Sequence, residues 1–348
     1  MSKQQPSHVQ QTRTGAAVVS RRRALSTVMS AAALAAMGLA ASGASAQDGA
    51  YPNKPVTLIV SAAAGGTTDI AARMIAEPLS KALGQPVVVD NRPGGNGGIA
   101  ASAVQRAKPD GYTLLVQYSG FHVITPLLMK NLQWDPVKDF APVANLLSAP
   151  QVLVVRPSLP VKSLKELVAY AKANPNKLNY ASSGNGSLQH VSTELLNQMA
   201  GIKITHVPYK GTGPAMTDLL GGSVDLTITT PPPLIPHIAA GKLRPLVVTS
   251  KSRIPSLNDV PSAPEAGYAD LDVSSWFAMY APAGTPKAVV DKLAGDIEAI
   301  MRTDAFRKKA ETLGAEAKFM GPQQLDQYQR AELTRWGKVI KSADIQAE

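Results

Sequence analysis

Short loops rich in glycine and serine follow strand-like runs and precede helical patterns at four places in the chain. AAAGGTTD follows PVTLIV, RPGGNGG follows VVVDN, SSGNGS follows NYA, and YKGTGP follows ITHVP. The runs before the loops are rich in β-branched residues, and the segments after them repeat apolar residues at helical spacing. Strands that alternate with helices in this way predict an α/β fold with mostly parallel sheets and crossover helices.

The pattern falls into two sets, which predicts two lobes. The second set begins at QVLVVRP, and Ser163 is expected to cap its first helix, LKELVAYAKANP, in which Glu166 stands at the capping-box position. The C-terminal strand VSSWFAMYAPAG and its two helices are too few for a domain of their own. We therefore expect residues 47–149 plus 266–348 to form lobe 1 and residues 150–265 to form lobe 2, with a ligand cleft between them.

The N-terminal segment has the features of a cleaved export signal. Five Lys and Arg but no acidic residue precede residue 47, and the apolar run ALSTVMSAAALAAMGLAA ends near the small-residue pattern ASA. We place cleavage after Ala46, by either the general secretory or the twin-arginine route. Removal of residues 1–46 leaves 30 basic and 25 acidic residues, so the formal charge falls from +10 to +5.

Composition excludes several classes of function. The remaining Lys and Arg are scattered and the chain has only 5 Phe, so a nucleic-acid footprint is not supported. The chain has no cysteine, which excludes disulfides and a lipid anchor on an N-terminal cysteine. The histidines show no paired metal-ligand spacing, and no metal or cofactor is expected. These features fit a soluble bacterial periplasmic protein.

The loops at the strand ends are suited to anions. Helix N-termini there offer unpaired N–H groups and the positive end of the helix dipole. Neither AAAGGTTD nor SSGNGS has the lysine of a Walker phosphate loop. The GNGGIA run at residues 95–100 is not followed by the acidic residue that a dinucleotide site needs at the end of the next strand. For AAAGGTTD two readings stay open: a turn whose Thr68 or Asp69 caps the next helix, or a ligand loop. Serine hydrolysis by SSGNGS is a weaker alternative, since no G-x-S-x-G occurs.

The combination of YPNKPVTLIVSAAAGGTTDIAAR, VVVDNRPGGNGGIAA, YASSGNGSLQHVSTELL, THVPYKGTGPAMTDLLGGSVDL and YAPAGTP resembles the extracytoplasmic solute receptors of the tripartite tricarboxylate transporter type, also called Bug proteins. The resemblance covers nearly the whole mature chain. It implies a two-lobed periplasmic binding protein of type II-like architecture that closes on a small carboxylate: a di- or tricarboxylate, an acidic amino acid or an aromatic acid. Membrane transporter subunits are the implied partners, or alternatively a sensor protein, and the receptor is expected to be a monomer without catalytic residues.

The resemblance also implies where the ligand binds. Carried onto this chain, the expected ligand-binding residues of the first and second lobes are Ala63, Ala64, Gly66, Thr67, Thr68, Asp69, Ser183, Gly184, Gly186, Ser187, Gly211 and Thr212. Tyr118, Ser119, Phe121 and His122 are expected to read the distal end of the ligand, although packing is the simpler role for Phe121. Asp69 is expected to hold its loop rather than to touch an anion. Ser61 and Ala62 replace the Pro-Phe common in the family, which suggests room for a bulkier ligand or an extra hydroxyl.

Overall fold

The computed structural model describes residues 51–129 and 131–342. The export signal expected over residues 1–46 lies outside the described residues. None of the described helices is both long enough and apolar enough to cross a membrane.

Two five-stranded sheets organise the described chain. The first has the order β2-β1-β3-β10-β4, and the second has the order β7-β6-β8-β5-β9. The strands of the first sheet are β1 (Val56–Val60), β2 (Val87–Asn91), β3 (Thr113–Tyr118), β4 (Phe140–Pro150) and β10 (Ser274–Pro282). The strands of the second sheet are β5 (Val152–Val155), β6 (Asn179–Ser182), β7 (Thr205–Pro208), β8 (Leu226–Thr229) and β9 (Arg244–Val248).

Each sheet contains a single reversed strand. In the first sheet β10 runs antiparallel to both β3 and β4, whereas β1 is parallel to β2 and β3. In the second sheet β5 runs antiparallel to β8 and β9, whereas β6 is parallel to β7 and β8. The predicted fold class, two mostly parallel sheets flanked by helices, is confirmed.

Helices connect and cover the strands. They are α1 (Thr67–Leu83), α2 (Gly98–Gln105), α3 (Thr125–Leu128), α4 (Leu164–Ala173), α5 (Leu188–Ala200), α6 (Thr212–Gly221), α7 (Ile235–Ala239), α8 (Lys287–Met301), α9 (Asp304–Thr312) and α10 (Pro322–Ser342). A single π-helical turn, Gly120–Ile124, precedes α3. The C-terminal helices α8 and α10 both pack against β4, so the end of the chain returns to the first sheet.

The chain passes between the sheets twice, and the two passages pair with each other. Gln151, between β4 and β5, donates from its backbone to Thr249 Oγ1 at 2.9 Å and accepts from the Thr249 amide at 2.8 Å. Val273, on the way back to β10, accepts from Thr249 Oγ1 at 2.6 Å. These bonds form a short connection suited to a hinge. The exact limits of the two lobes, at residues 149–150 and 265–266, stay a prediction.

The sequence patterns miss or misplace some elements. The long strand β4 was not predicted, because proline at both Pro142 and Pro150 argues against a regular strand. Helices α7 and α9 were also not predicted. The prediction that Thr68 or Asp69 caps α1 is wrong, because Gly66 is the N-cap and no side chain caps it.

The capping prediction for α4 is confirmed. Ser163 Oγ accepts from the Glu166 amide at 3.2 Å. The Glu166 carboxylate reaches back one residue further than the usual box and accepts from the Lys162 amide at 2.7 Å.

Candidate ligand-binding site

The loop after β1 presents the uncapped start of α1. Ile70 is the first residue whose amide bonds back along the helix, to the Gly66 carbonyl at 3.0 Å. The amides of the first turn therefore lack helical partners and lie at the positive end of the helix dipole. Asp69 bonds to the loop before the helix and not to the amides of the first turn. Its Oδ2 accepts from Gly65 N at 3.0 Å, and its carboxylate pairs with Arg73 Nε at 2.9 Å.

Gln189, in the first turn of α5, forms hydrogen bonds to three segments that surround the second sheet. Its Oε1 accepts from Ser183 N at 2.7 Å, and its Nε2 donates to Thr212 Oγ1 at 2.9 Å and to Thr229 Oγ1 at 2.7 Å. Because both threonine oxygens already accept from Gln189, their hydroxyl hydrogens are left to donate elsewhere. Helix α6 starts at Thr212 with Gly211 as an N-cap that lacks a side-chain bond, so its first amides are also without helical partners.

Two side-chain hydrogen bonds join the loops of the two sheets. Thr67 Oγ1 lies 2.6 Å from Thr230 Oγ1, and the Tyr118 hydroxyl lies 2.9 Å from Ser183 Oγ. All four side chains are buried. Burial raises the pKa of Tyr118, so its phenol stays neutral. The two sides of the cleft are therefore in contact in this structure.

The backbones of the two sides also meet directly. A Cβ atom on Gly213 would lie 2.2 Å from the Ala64 carbonyl oxygen, and one on Gly211 would lie 3.0 Å from Ala63 N. Gly211 additionally has φ +122°, a conformation that favours glycine. These positions accept no side chain while the cleft is closed.

A small polar cavity of about 20 Å³ remains between the two sides. Its lining residues come from both sheets and from the crossing strands: Ala62, Gly66, Thr67, Thr68, Tyr118, Gln151, Ser183, Gln189, Thr212, Thr229, Thr230, Ser275 and Phe277. None of these residues carries a formal charge. Hydroxyls and helix N-termini that donate hydrogen bonds in an uncharged, buried setting are suited to bind an anion.

A larger cavity, of about 390 Å³, lies beside the crossing strands and shares Ser275 with the small one. It is lined by charged side chains of both signs: Asp272, Glu311, Glu316, Lys318 and Arg335. None of the sequence-predicted site residues lines it. The small cavity, where the predicted loops converge, is therefore the candidate site.

Comparison with known proteins agrees with this geometry. The family model described as "Tripartite tricarboxylate transporter family receptor" matches residues 71–345, which is most of the chain. The chain belongs to this family. TctC, the short name of that model, is used for the family below.

Similar proteins include curated and solved members. Protein BugT of Bordetella pertussis is 37% identical over 292 residues, which cover 84% of this chain and 90% of BugT. A Rhodopseudomonas palustris protein solved with adipate is 42% identical with a TM-score of 0.83, covering 85% of this chain and 99% of that one. MatC of R. palustris, solved with bound malate, is 36% identical with a TM-score of 0.80, covering 83% of this chain and 100% of that one.

Six of the residues expected from the TctC resemblance line the small cavity: Gly66, Thr67, Thr68, Tyr118, Ser183 and Thr212. Ala63, Ala64 and Gly211 form the backbone contact beside it. Gly184 and Gly186 also lie against the first sheet's side, because a Cβ atom on each would meet Asn96 or Leu128. The extra hydroxyl suggested for Ser61 does not reach the cavity, since Ser61 is fully buried and outside its lining.

Other expected residues have supporting positions. Ser187 caps α5, because its Oγ accepts from the His190 amide at 3.2 Å. Ser119 Oγ accepts from the Trp276 amide at 3.3 Å, and the Phe121 ring packs edge-on against Tyr118 at 4.6 Å. Neither Ser119 nor Phe121 lines the cavity.

His122 lies within the first sheet's side and apart from the cavity. Its ring stacks on Tyr280 at 4.1 Å, and its Nε2 is 3.1 Å from the Pro136 carbonyl and 3.2 Å from Gln329 Oε1. Burial lowers the pKa of His122 to about 4. The neutral ring is therefore part of an aromatic core.

Seven lining residues were not singled out as site residues from the sequence: Ala62, Gln151, Gln189, Thr229, Thr230, Ser275 and Phe277. Thr229 and Thr230 carried a usable signal, since they end a strand and are followed by PPP. Gln189 follows the SSGNGS loop directly enough to have been included. Gln151, Ser275 and Phe277 reach the site only through the pairing of the crossing strands, which no local pattern predicts.

The serines of SSGNGS lack the arrangement of a nucleophile. Ser183 Oγ bonds to the Tyr118 hydroxyl, and Ser187 Oγ caps α5. Ser182 Oγ does lie 2.6 Å from His206 Nε2, but Ser182 is buried and does not line the cavity. Among the described residues no cluster of His, Asp or Glu is arranged to hold a metal ion.

Proposed function

We propose that this chain is a periplasmic receptor that captures a small carboxylate between two lobes and delivers it to a membrane transporter of the tripartite tricarboxylate type. Residues 1–46 would direct export and be removed, and the mature protein would act as a monomer. The two lobes would comprise residues 47–149 plus 266–348 and residues 150–265. The protein would bind its ligand without chemical change.

The main support for a carboxylate receptor is that several uncharged hydrogen-bond donors converge on one cavity. The starts of α1 and α6 leave amides without helical partners, and Thr68 makes no side-chain hydrogen bond within the described chain. Hydrogen bonds to a charged group contribute about 1.5–3 kcal/mol each, so a few neutral donors suffice to hold a carboxylate. A ligand that touches both sides favours the closed state, because only that state makes both sets of contacts. The carboxylates bound by two similar proteins support this choice of ligand class.

A binding screen tests the proposal. Purified mature protein is heated with a panel of small carboxylates and, as matched controls, with their methyl esters. We expect at least one free acid to raise the melting temperature and its ester to have no effect. Stabilisation by none of the acids, or turnover of an ester, would contradict the receptor function.

Two substitutions locate the site once an acid is found. Thr68→Ala removes a donor and Gly211→Ala places a methyl group against Ala63, so each should weaken binding about tenfold or more in calorimetry. Thr217→Ala on the exposed face of α6 and Gly267→Ala, which has similar positive φ but open space around it, are the controls. Unchanged affinity in both site variants would place the ligand elsewhere.

A further inference from the structure

One residue that lines the small cavity has a buried acceptor without a partner in the described part of the chain. This residue is Gln151, which lies where the chain first crosses between the sheets. Its Nε2 donates to Ser275 Oγ at 3.4 Å, whereas its Oε1 is buried and accepts no hydrogen bond within the described residues. Buried polar groups in proteins are nearly always hydrogen-bonded, so this oxygen is suited to a donor supplied by the ligand.

The start of α5 is already occupied by the protein itself. The Tyr118 hydroxyl from the first sheet's side bonds to Ser183 Oγ and also interacts with the Leu188 backbone and the Ser187 side chain. Ser187 in turn caps the helix. This helix N-terminus therefore has little capacity left for a carboxylate of the ligand.

The starts of α1 and α6 remain, and they face each other. A Cβ atom on Gly66, the N-cap of α1, would lie 3.5 Å from Thr212 Cβ at the start of α6. Two helix starts this close together act on the same anion rather than on two separate ones. The cavity thus has one place suited to a carboxylate.

We propose that the ligand carries a single carboxylate, bound by the first turns of α1 and α6, and at its other end a neutral group that donates a hydrogen bond to Gln151 Oε1. A hydroxyl or a carboxamide is such a donor. This assignment rests on the proposed function and narrows it to a small hydroxy acid or its amide counterpart.

The uncharged lining of the cavity explains why a hydroxyl or carboxamide would be preferred to a second charged group at this end of the ligand. A second carboxylate at this end would face the Gln151 oxygen, which is also an acceptor, with no cation to neutralise it. An ammonium group would be desolvated without a carboxylate partner, since no Asp or Glu lines the cavity. Burial of an unpaired charge is far more costly than burial of a hydroxyl that donates one hydrogen bond.

Matched ligands test the proposal directly. Calorimetry compares ω-hydroxy acids with α,ω-dicarboxylates and ω-amino acids of equal chain length, from three to six carbons. We expect the hydroxy acid of the best-fitting length to bind at least about tenfold more tightly than its dicarboxylate and amino counterparts.

Two variants assign the preference to its source. Gln151→Met keeps a similar shape but removes the acceptor, so the preference for the hydroxy acid should fall below about threefold. Tyr118→Phe removes the hydroxyl that bonds at the start of α5, so the difference in affinity between the dicarboxylate and the hydroxy acid should become smaller. Gln198→Met, on the exposed face of α5, and Tyr112→Phe, whose hydroxyl bonds to Asn53, are controls that should retain the full preference.

The outcomes separate this inference from the proposed function. Tighter binding of a dicarboxylate or an amino acid overturns the inference but leaves a carboxylate receptor. A preference for the hydroxy acid that persists in both Gln151→Met and Tyr118→Phe also overturns it, because another residue must then accept the hydrogen bond from the ligand's hydroxyl. Binding of no acid of any series removes the proposed function as well.

Discussion

Helices α1 and α5 both begin at the cleft, yet their first turns are satisfied in different ways. No side chain caps α1, and its Asp69 bonds to the loop before the helix. The start of α5 has the Ser187 cap and lies against the Tyr118 hydroxyl from the opposite side. The start of α5 therefore joins the two sides of the cleft, and the proposed function assigns the start of α1 to the ligand.

The supports behind the two helix starts differ as well. Behind α1 stands the ion pair of Asp69 and Arg73. Behind α5 stand two stacked histidine rings, with His190 and His206 centroids 4.3 Å apart. His190 Nδ1 accepts from Gly186 N at 3.2 Å, and His206 Nε2 lies 2.6 Å from Ser182 Oγ. The α5 side is thus supported by two stacked imidazole rings, and the α1 side by an ion pair.

The largest effect is expected where the free helix start of α1 meets that of α6. Gly213→Ala would place a methyl group 2.2 Å from the Ala64 carbonyl oxygen, a distance that requires the backbones to separate. Because the closed contacts cannot form, we expect carboxylate affinity to fall by about 100-fold or more. Calorimetry with the acid found in the screen measures the loss.

Gly221→Ala, at the other end of α6, is the matched control. A Cβ atom there meets nothing within 4 Å, so affinity should stay unchanged. If both variants bind alike, the closed contact between α6 and the first loop is not needed for binding, and the shared role given to α1 and α6 fails.

The contrast between the two helix starts also shows what the sequence can and cannot predict. Alternating strands and helices, with glycine loops at the strand ends, predicted the fold class and brought Gly66, Thr68 and Thr212 to one cavity. Gln189 and Gln151 were missed because their roles depend on which loops and crossing strands lie beside them. A glutamine in a helix or a connection has no motif, and its partners are set by tertiary packing. The cap of α1 was misassigned for the opposite reason, since Asp69 fits a local capping pattern but bonds to Gly65.

Acid should weaken the α5 side more than the α1 side. Burial, and then the charge of His190, lowers the pKa of His206 to about 3. An unfolded histidine titrates near pH 6.5, so below that pH the unfolded state binds more protons and stability declines as pH falls toward about 3. Titratable groups near this pair include Tyr180, which stacks on His206, and Glu194, which accepts from the Tyr180 hydroxyl. Because His206 is only partly buried, we expect its contribution to the free energy of unfolding to fall by about 2 kcal/mol between pH 7 and pH 4.

Urea unfolding at a series of pH values measures this loss. His206→Gln retains a polar group near Ser182 but does not titrate, so its stability should depend less on pH than that of the parent protein. His122, whose pKa of about 4 acts in the same direction, stays in both proteins and cancels in the comparison. An equal pH dependence in the two proteins would show that the histidine pair does not support the α5 side.

The smallest expected changes, in unfolding free energy and in affinity, distinguish the roles of the starts of α1 and α5 most directly. Ser187→Ala removes the cap of α5 and should lower the free energy of unfolding by about 1 kcal/mol, with little change in carboxylate affinity. Thr68→Ala, in the first turn of α1, should do the reverse: affinity falls about tenfold while stability changes by about 0.5 kcal/mol or less. Both quantities are measured on both variants, by calorimetry and by urea unfolding. If Ser187→Ala costs affinity and Thr68→Ala costs only stability, the ligand binds at α5 and the division of roles between the two helices is inverted.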